Sequence, residues 1–115
     1  MKVILDTNFL IDCSKFHIDY QQELKEHDLF VLSQTLNELE KLINQKKAKY
    51  SKLALEILQE KGIKILKTTK TGLVDDILVD MKGYAIATND AELKKRLKTK
   101  IFTIRQKKYI KCFTN

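Results

Sequence analysis

The 115-residue chain has no proline, no tryptophan, three glycines and two cysteines. With proline absent and glycine scarce, no tract has the composition of a linker. Neither a repeat nor a low-complexity segment is visible, so residues 1–115 are expected to form a single domain, long enough for one core. Cys13 and Cys112 lie far apart, without metal-ligand spacing, which argues against zinc and leaves them as buried or half-buried free thiols. His17 and His27 stand equally alone, and a structural or solvent-facing role is expected for each. No stretch approaches the roughly 18 consecutive apolar residues of a membrane span. An apolar strand begins at once, leaving no room for a signal peptide. A cytoplasmic protein with no membrane contact is the expectation.

Acidic charge is the remaining shortage. Fifteen Asp and Glu face 22 Lys and Arg, for a net charge of +7 carried almost wholly by lysine. Such a balance suits polyanions, nucleic acid first. A heat-adapted protein rich in surface Lys and Glu would show the same composition, so charge admits nucleic acid without requiring it.

What is present is a repeated alternation of short apolar runs with helical periodicity. Strands are expected at Lys2–Leu5, Leu29–Leu32, Ile63–Leu66, Tyr84–Ala87 and near Lys100–Ile104. Between them, helices are expected from about Thr7, at Asp19–Glu26, Gln34–Gln45, Tyr50–Glu60, Leu73–Lys82 and Ala91–Lys98. Lys46–Lys49 interrupts the third and fourth of these helices, and Gly62 is placed to cap the fourth. Strands alternating with helices imply an α/β class: a three-layer α/β/α sandwich with a central parallel sheet.

Two strands end on acids, Asp6 in Leu5-Asp6-Thr7-Asn8 and Asp90 in Ala87-Thr88-Asn89-Asp90. An open parallel sheet gathers its strand ends at the ligand crevice, so neighbouring strands would bring both carboxylates together there. The rival reading is capping: Asp6 or Thr7 suits a helix start, and Asn89 with Glu92 resembles a capping box. At about 100° per residue, Glu38 lies at the margin of the stripe Leu36, Leu39, Leu42 and Ile43. Asp75 sits on the flank of the stripe Val74, Ile77, Leu78 and Met81, whereas Asp76 lies nearly opposite and Asp80 on the other flank. Asp6, Glu38, Asp75 and Asp90 can therefore converge. Clustered carboxylates repel and need counter-charge, which a hard divalent cation, Mg²⁺ or Mn²⁺, supplies.

The segments LDTNFLID at 5–12, LNELEKL at 36–42, VDDIL at 74–78 and ATNDAELKKRL at 87–97, taken together, resemble the PIN-domain ribonucleases. They look most like a small archaeal subgroup that is also similar to eukaryotic small-subunit rRNA-processing nucleases. VapC-type toxins share the same acids. The resemblance implies the α/β/α fold and Mg²⁺- or Mn²⁺-dependent endonuclease activity on RNA. Asp6, Glu38, Asp75 and Asp90 match the family's acidic, metal-binding positions, and Asn8 and Thr88 its supporting polar ones. It implies in-line attack of metal-activated water on phosphorus, leaving a 3′-hydroxyl and a 5′-phosphate. It further implies either an antitoxin partner or a ribosome-assembly partner, and a homodimer. Asp80, Met81 and Lys82 depart from the small residue many members keep after the third acid. The zinc-binding cysteines of some ribosome-processing relatives are missing, so a bare PIN domain is expected.

Three basic groups could hold RNA phosphates: Lys46, Lys47, Lys49 and Lys52; Lys94, Lys95, Arg96 and Lys98; Lys107, Lys108 and Lys111. The second begins one turn after Asp90 and is the best placed. Tyr109 and Phe113 are expected to pack against the sheet edge in preference to stacking on bases. Two other classes compete. One is a PIN-fold RNA-binding scaffold without catalysis. The other is an aspartate phosphatase or phosphotransfer domain, against which Asn8 stands where a second aspartate is required.

Overall fold

The computed structural model describes residues 1–46 and 49–115. Its sheet runs in the order β3-β2-β1-β4-β5-β6. The strands are β1 (Lys2–Leu5), β2 (Asp28–Leu32), β3 (Lys64–Leu66), β4 (Ala85–Ala87), β5 (Lys100–Arg105) and β6 (Tyr109–Thr114). Helices α1 (Thr7–Lys15), α2 (Tyr20–Glu23), α3 (Ser33–Asn44), α4 (Ser51–Lys61), α5 (Val74–Asp80) and α6 (Ala91–Arg96) fill the connections. β1 to β5 pair in parallel, and β6 closes the edge antiparallel to β5.

The central strands are apolar throughout because both of their faces are covered. Val3, Leu5, Val31, Ala85, Ala87 and Phe102 face a core completed by Phe9, Leu10, Leu39, Ala54 and Leu58 from α1, α3 and α4. Ile4, Leu32, Ile86 and Ile101 point the other way, into a core closed by Val74, Ile77, Leu78, Leu93 and Leu97 around α5 and α6. The strand period of two divides each run between two helical layers. This is the expected α/β sandwich.

Several local expectations are corrected. β6 has no counterpart among the expected strands, so the sheet is mixed. Its turn holds Gln106 and Lys107 at φ 54° and 57°, and neither is a residue that announces such a turn. Tyr109 is 41% exposed while Phe113 packs against the α5–α6 core, so only one of the two aromatics leans on the sheet. The helix expected over Asp19–Glu26 contracts to one turn capped by the Asp19 carboxylate. Leu53, expected inward, is 38% exposed and buried Ser51 takes an inward place on α4. Cys13 is buried as expected, whereas Cys112 is exposed on the edge strand β6. His27 is half-buried with its ring edge-on to Phe102 at 5.2 Å. Gly62 ends α4 at φ 62°, a left-handed turn that glycine enters without a Cβ penalty. Lys47 of the first basic group, and with it part of the Lys46–Lys49 interruption, lies outside the described residues.

Candidate active site at the β1–β4 strand ends

The strand order reverses between β1 and β4, which pair through Val3–Ala85, Ile4–Ile86 and Leu5–Ala87. Asp6 follows β1 and Asp90 lies three residues beyond β4, so both acids stand at the topological switch point. Each also caps a helix. The Thr7 N–H donates to Asp6 Oδ1 at 2.8 Å, and the Glu92 and Leu93 N–H groups donate to Asp90 Oδ1 at 2.9 and 3.2 Å. Capping and site placement are thus one arrangement: the cap fixes the carboxylate at the strand end. The expected Asn89 capping box does not form, because Asp90 itself takes the cap position.

Asp6 is 4% exposed. Its second oxygen accepts from the Thr88 hydroxyl at 2.8 Å, and Thr88 is itself fully buried. Thr88 Oγ in turn accepts the Asp90 N–H at 3.2 Å, so one hydroxyl joins the two acids. On the α3 side the Thr7 hydroxyl donates to Glu38 Oε1. This bond brings an acid from the margin of the α3 stripe to the first turn of α1. Asp75 is half-buried on the first turn of α5, whereas Asp76 and Asp80 are exposed.

Electrostatics connects the four acids. Burial, the largest cause, raises the Asp6 carboxyl from 3.8 to about 6; the charges of Asp75 and Glu38 push in the same direction, and the bonds from Thr88 and Thr7 oppose them. Asp75 is also held above the ordinary carboxylate range, by burial first and then by Asp90 and Asp76, against a lowering by Arg96. Two cations that act on these acids have other partners. Arg96 pairs with Asp76 at 2.7 Å and Lys94 donates to Thr103 Oγ at 3.2 Å.

Carboxylates whose charges oppose the ionisation of Asp6 and Asp75 suit a hard divalent cation, whose preferred ligands are oxygen. Among the described residues, no three Asp, Glu, His or Cys side chains converge closely enough to enclose an ion by themselves. Mg²⁺ in particular is commonly held by one or two carboxylates while keeping several waters, so the donor set fits such an ion.

The family model of a PIN-like domain matches residues 3–107. The chain belongs to the PIN-like domain family. No curated protein sequence matches the chain. Among solved structures, the PIN-domain endonuclease Utp24 superposes with a TM-score of 0.83 at 26% identity, over 99% of this chain and 92% of that one. A domain of a functionally unknown protein from Methanocaldococcus jannaschii shares the fold at a TM-score of 0.56 and 19% identity, covering 82% of this chain and 81% of that one.

The PIN domain's polar frame extends beyond the residues that sequence reasoning singled out. Asn8 Oδ1 accepts from the Asn89 N–H at 3.2 Å and from the Thr88 hydroxyl at 3.4 Å. The Asn89 side chain donates to Asp12 Oδ2 at 2.8 Å and accepts from the Thr103 hydroxyl and the Ile104 N–H at 3.1 and 3.0 Å. Asn89 therefore ties α1, β4 and β5 into one edge. Thr7, Asp12 and Thr103 complete this frame. Asp12 falls inside a motif segment, its one signal in the sequence, and Thr7 and Asn89 are expected there only as helix-cap residues; Thr103 has no such signal. Of the basic group on α6, Lys94 is half-buried beside β5. Lys95 pairs with Glu92 at 3.5 Å, and Arg96 is engaged by Asp76.

Proposed function

We propose that this PIN domain is a divalent-metal-dependent endonuclease that hydrolyses RNA phosphodiester bonds in RNA processing. The observation that carries the reading is the buried Asp6 carboxylate at the switch point, whose ionisation is opposed by the charges of Asp75 and Glu38, while Asp90 opposes that of Asp75. A scaffold that only bound RNA would have no use for such acids, which repel phosphate. The likeness to the endonuclease Utp24 over nearly the whole of both chains supports the same class of activity. The motifs do not by themselves separate processing from a toxin role, since VapC-type toxins share the same acids; the likeness to Utp24 is what favours processing.

In this reading Asp6, Glu38, Asp75 and Asp90 hold Mg²⁺ or Mn²⁺. When bound, such an ion lowers the pKa of water and stabilises charge on the scissile phosphate oxygens. The chain's own residues supply position. Thr88 and the Thr7 N–H each hold one of the two Asp6 oxygens. The α6 N–H groups hold Asp90, and the Thr7 hydroxyl holds the exposed Glu38 carboxylate. Asn8 fixes the loop after β4 through the Asn89 N–H. Lys94, Lys95, Arg96 and Lys98 contribute positive potential toward the RNA backbone, with Lys94 nearest to Asp90 in the chain.

The test is cleavage of a long structured RNA with Mg²⁺ or Mn²⁺ by wild type and by Asp6→Asn, purified identically. Metal-dependent cutting that is lost in the variant is expected, since a ligand charge is removed with little change of shape. Equal cutting by both would assign the activity to a contaminant. Absence of cutting together with absence of Mn²⁺ binding would overturn the reading in favour of the scaffold.

A further inference from the structure

β5 runs past the end of β4 on the side of the sheet edge that carries the acids. The Thr88 N–H donates to the Phe102 carbonyl at 2.9 Å, and β5 continues three residues further, to Arg105. Strands about 4.8 Å apart place β5 about 10 Å from β1, within one or two nucleotides of any phosphate lying over Asp6. Two cations meet on this overhang. Lys94 reaches β5 from α6 through Thr103 Oγ, and Arg105 lies two residues beyond Thr103 on the same face of the strand. Its guanidinium sits 5.9 Å from the Phe113 ring centroid, which props it in place.

The two cations are crowded. Burial first, and then the Arg105 charge, hold the Lys94 ammonium below its usual range, with Asp90 acting the other way. Among the described residues neither Lys94 nor Arg105 forms an ion pair, although Lys95, Arg96 and Lys61 each do. Beyond Arg105 the turn presents Lys107 and Lys108, both exposed. A pair of cations held together by hydroxyl and ring contacts, without an acid between them, suits an anion with several acceptor oxygens. The arrangement lies between the acids on one side and the basic turn on the other.

We propose that Lys94 and Arg105 together clamp a backbone phosphate of the RNA next to the carboxylate cluster, and that the Gln106–Lys108 turn continues the track. This rests on the endonuclease reading and assigns the side on which the strand leaves the acids. Arg105 belongs to none of the basic groups expected from the sequence, and the clamp gives Lys94 a partner across the sheet instead of along α6.

The test is equilibrium binding of a fluorescein-labelled single-stranded oligoribonucleotide in EDTA, by anisotropy across a series of KCl concentrations. For a single strand, each phosphate deprived of its protein cation lowers the slope of log K against log salt by about 0.7. Arg105→Gln combined with Lys94→Gln is expected to lower it by about that amount, each substitution alone by part of it, and Arg105→Lys to restore most of the loss in Arg105→Gln. Lys25→Gln with Lys64→Gln, at the opposite end of the sheet, is expected to leave slope and affinity unchanged. Unchanged slopes in Arg105→Gln and Lys94→Gln would overturn the clamp, as would an equal loss in the opposite-end control. If the wild type itself binds no RNA at low salt, the endonuclease reading falls with it. Wild-type binding that the clamp variants do not weaken removes the clamp alone.

Discussion

Asp6→Asn in protein freed of divalent ions by EDTA should be more stable than the wild type at neutral pH. Burial raises the Asp6 carboxyl from 3.8 to about 6. At 1.36 kcal/mol per pKa unit, this corresponds to about 3 kcal/mol. Because the native value lies above the unfolded one, the native state binds the proton more tightly between them. The stability contributed by the neutral carboxyl is fully present below about pH 4 and is lost as pH rises through about 6. Asparagine is neutral throughout and escapes that loss. Its amide nitrogen meets the Thr88 hydroxyl, which must then accept where it had donated, and this offsets about 1 kcal/mol. The net gain at pH 7.5 is about 2 kcal/mol. With an unfolding entropy of about 2.1 cal/mol/K per residue, Tm should rise by roughly 8 °C. Circular dichroism melts from pH 3.5 to 8 should show the two Tm curves separating above about pH 4. Adding Mn²⁺ at about a hundredfold its Kd should stabilise the wild type by about 2.7 kcal/mol and the variant far less. A variant no more stable than wild type at pH 7.5 would refute burial as the dominant influence on Asp6. Equal stabilisation of both proteins by Mn²⁺ would remove Asp6 from the ion site.

Two further substitutions probe the frame around the acids. Thr88→Val removes the hydroxyl joining Asp6 to the Asp90 N–H and should cost about 1–3 kcal/mol in urea denaturation at pH 7. It should also weaken Mn²⁺ binding by calorimetry; unchanged affinity would mean that Asp6 is positioned by its cap alone. Asn89→Ala removes three side-chain hydrogen bonds linking α1 to β5, and a loss of about 2–3 kcal/mol is expected. Amide exchange should accelerate at Ile104, and protection equal to the wild type there would contradict the proposed tie.

The sheet and its two helical layers were legible in local sequence, because strands buried on both faces must be apolar at every position and helices must repeat their apolar stripe. Val3–Leu5 and Ala85–Ala87 therefore declared themselves, and so did the acids that follow them. Helical arithmetic also separated half-buried Asp75 from exposed Asp76. The tertiary structure alone decided how the acids are held. Glu38 reaches the edge through Thr7, 31 residues away; Asp6 is fixed by Thr88, 82 residues away; Asn89 finds Asp12 across 77. Such partners share no local period, so nothing in either segment marks the other. β6 stayed hidden for a related reason. An edge strand buries little, and its turn lacks glycine or asparagine, so neither alternation nor turn chemistry announced it. Arg105 depends on that hairpin for its place beside Lys94, and its position was settled only when the chain folded back.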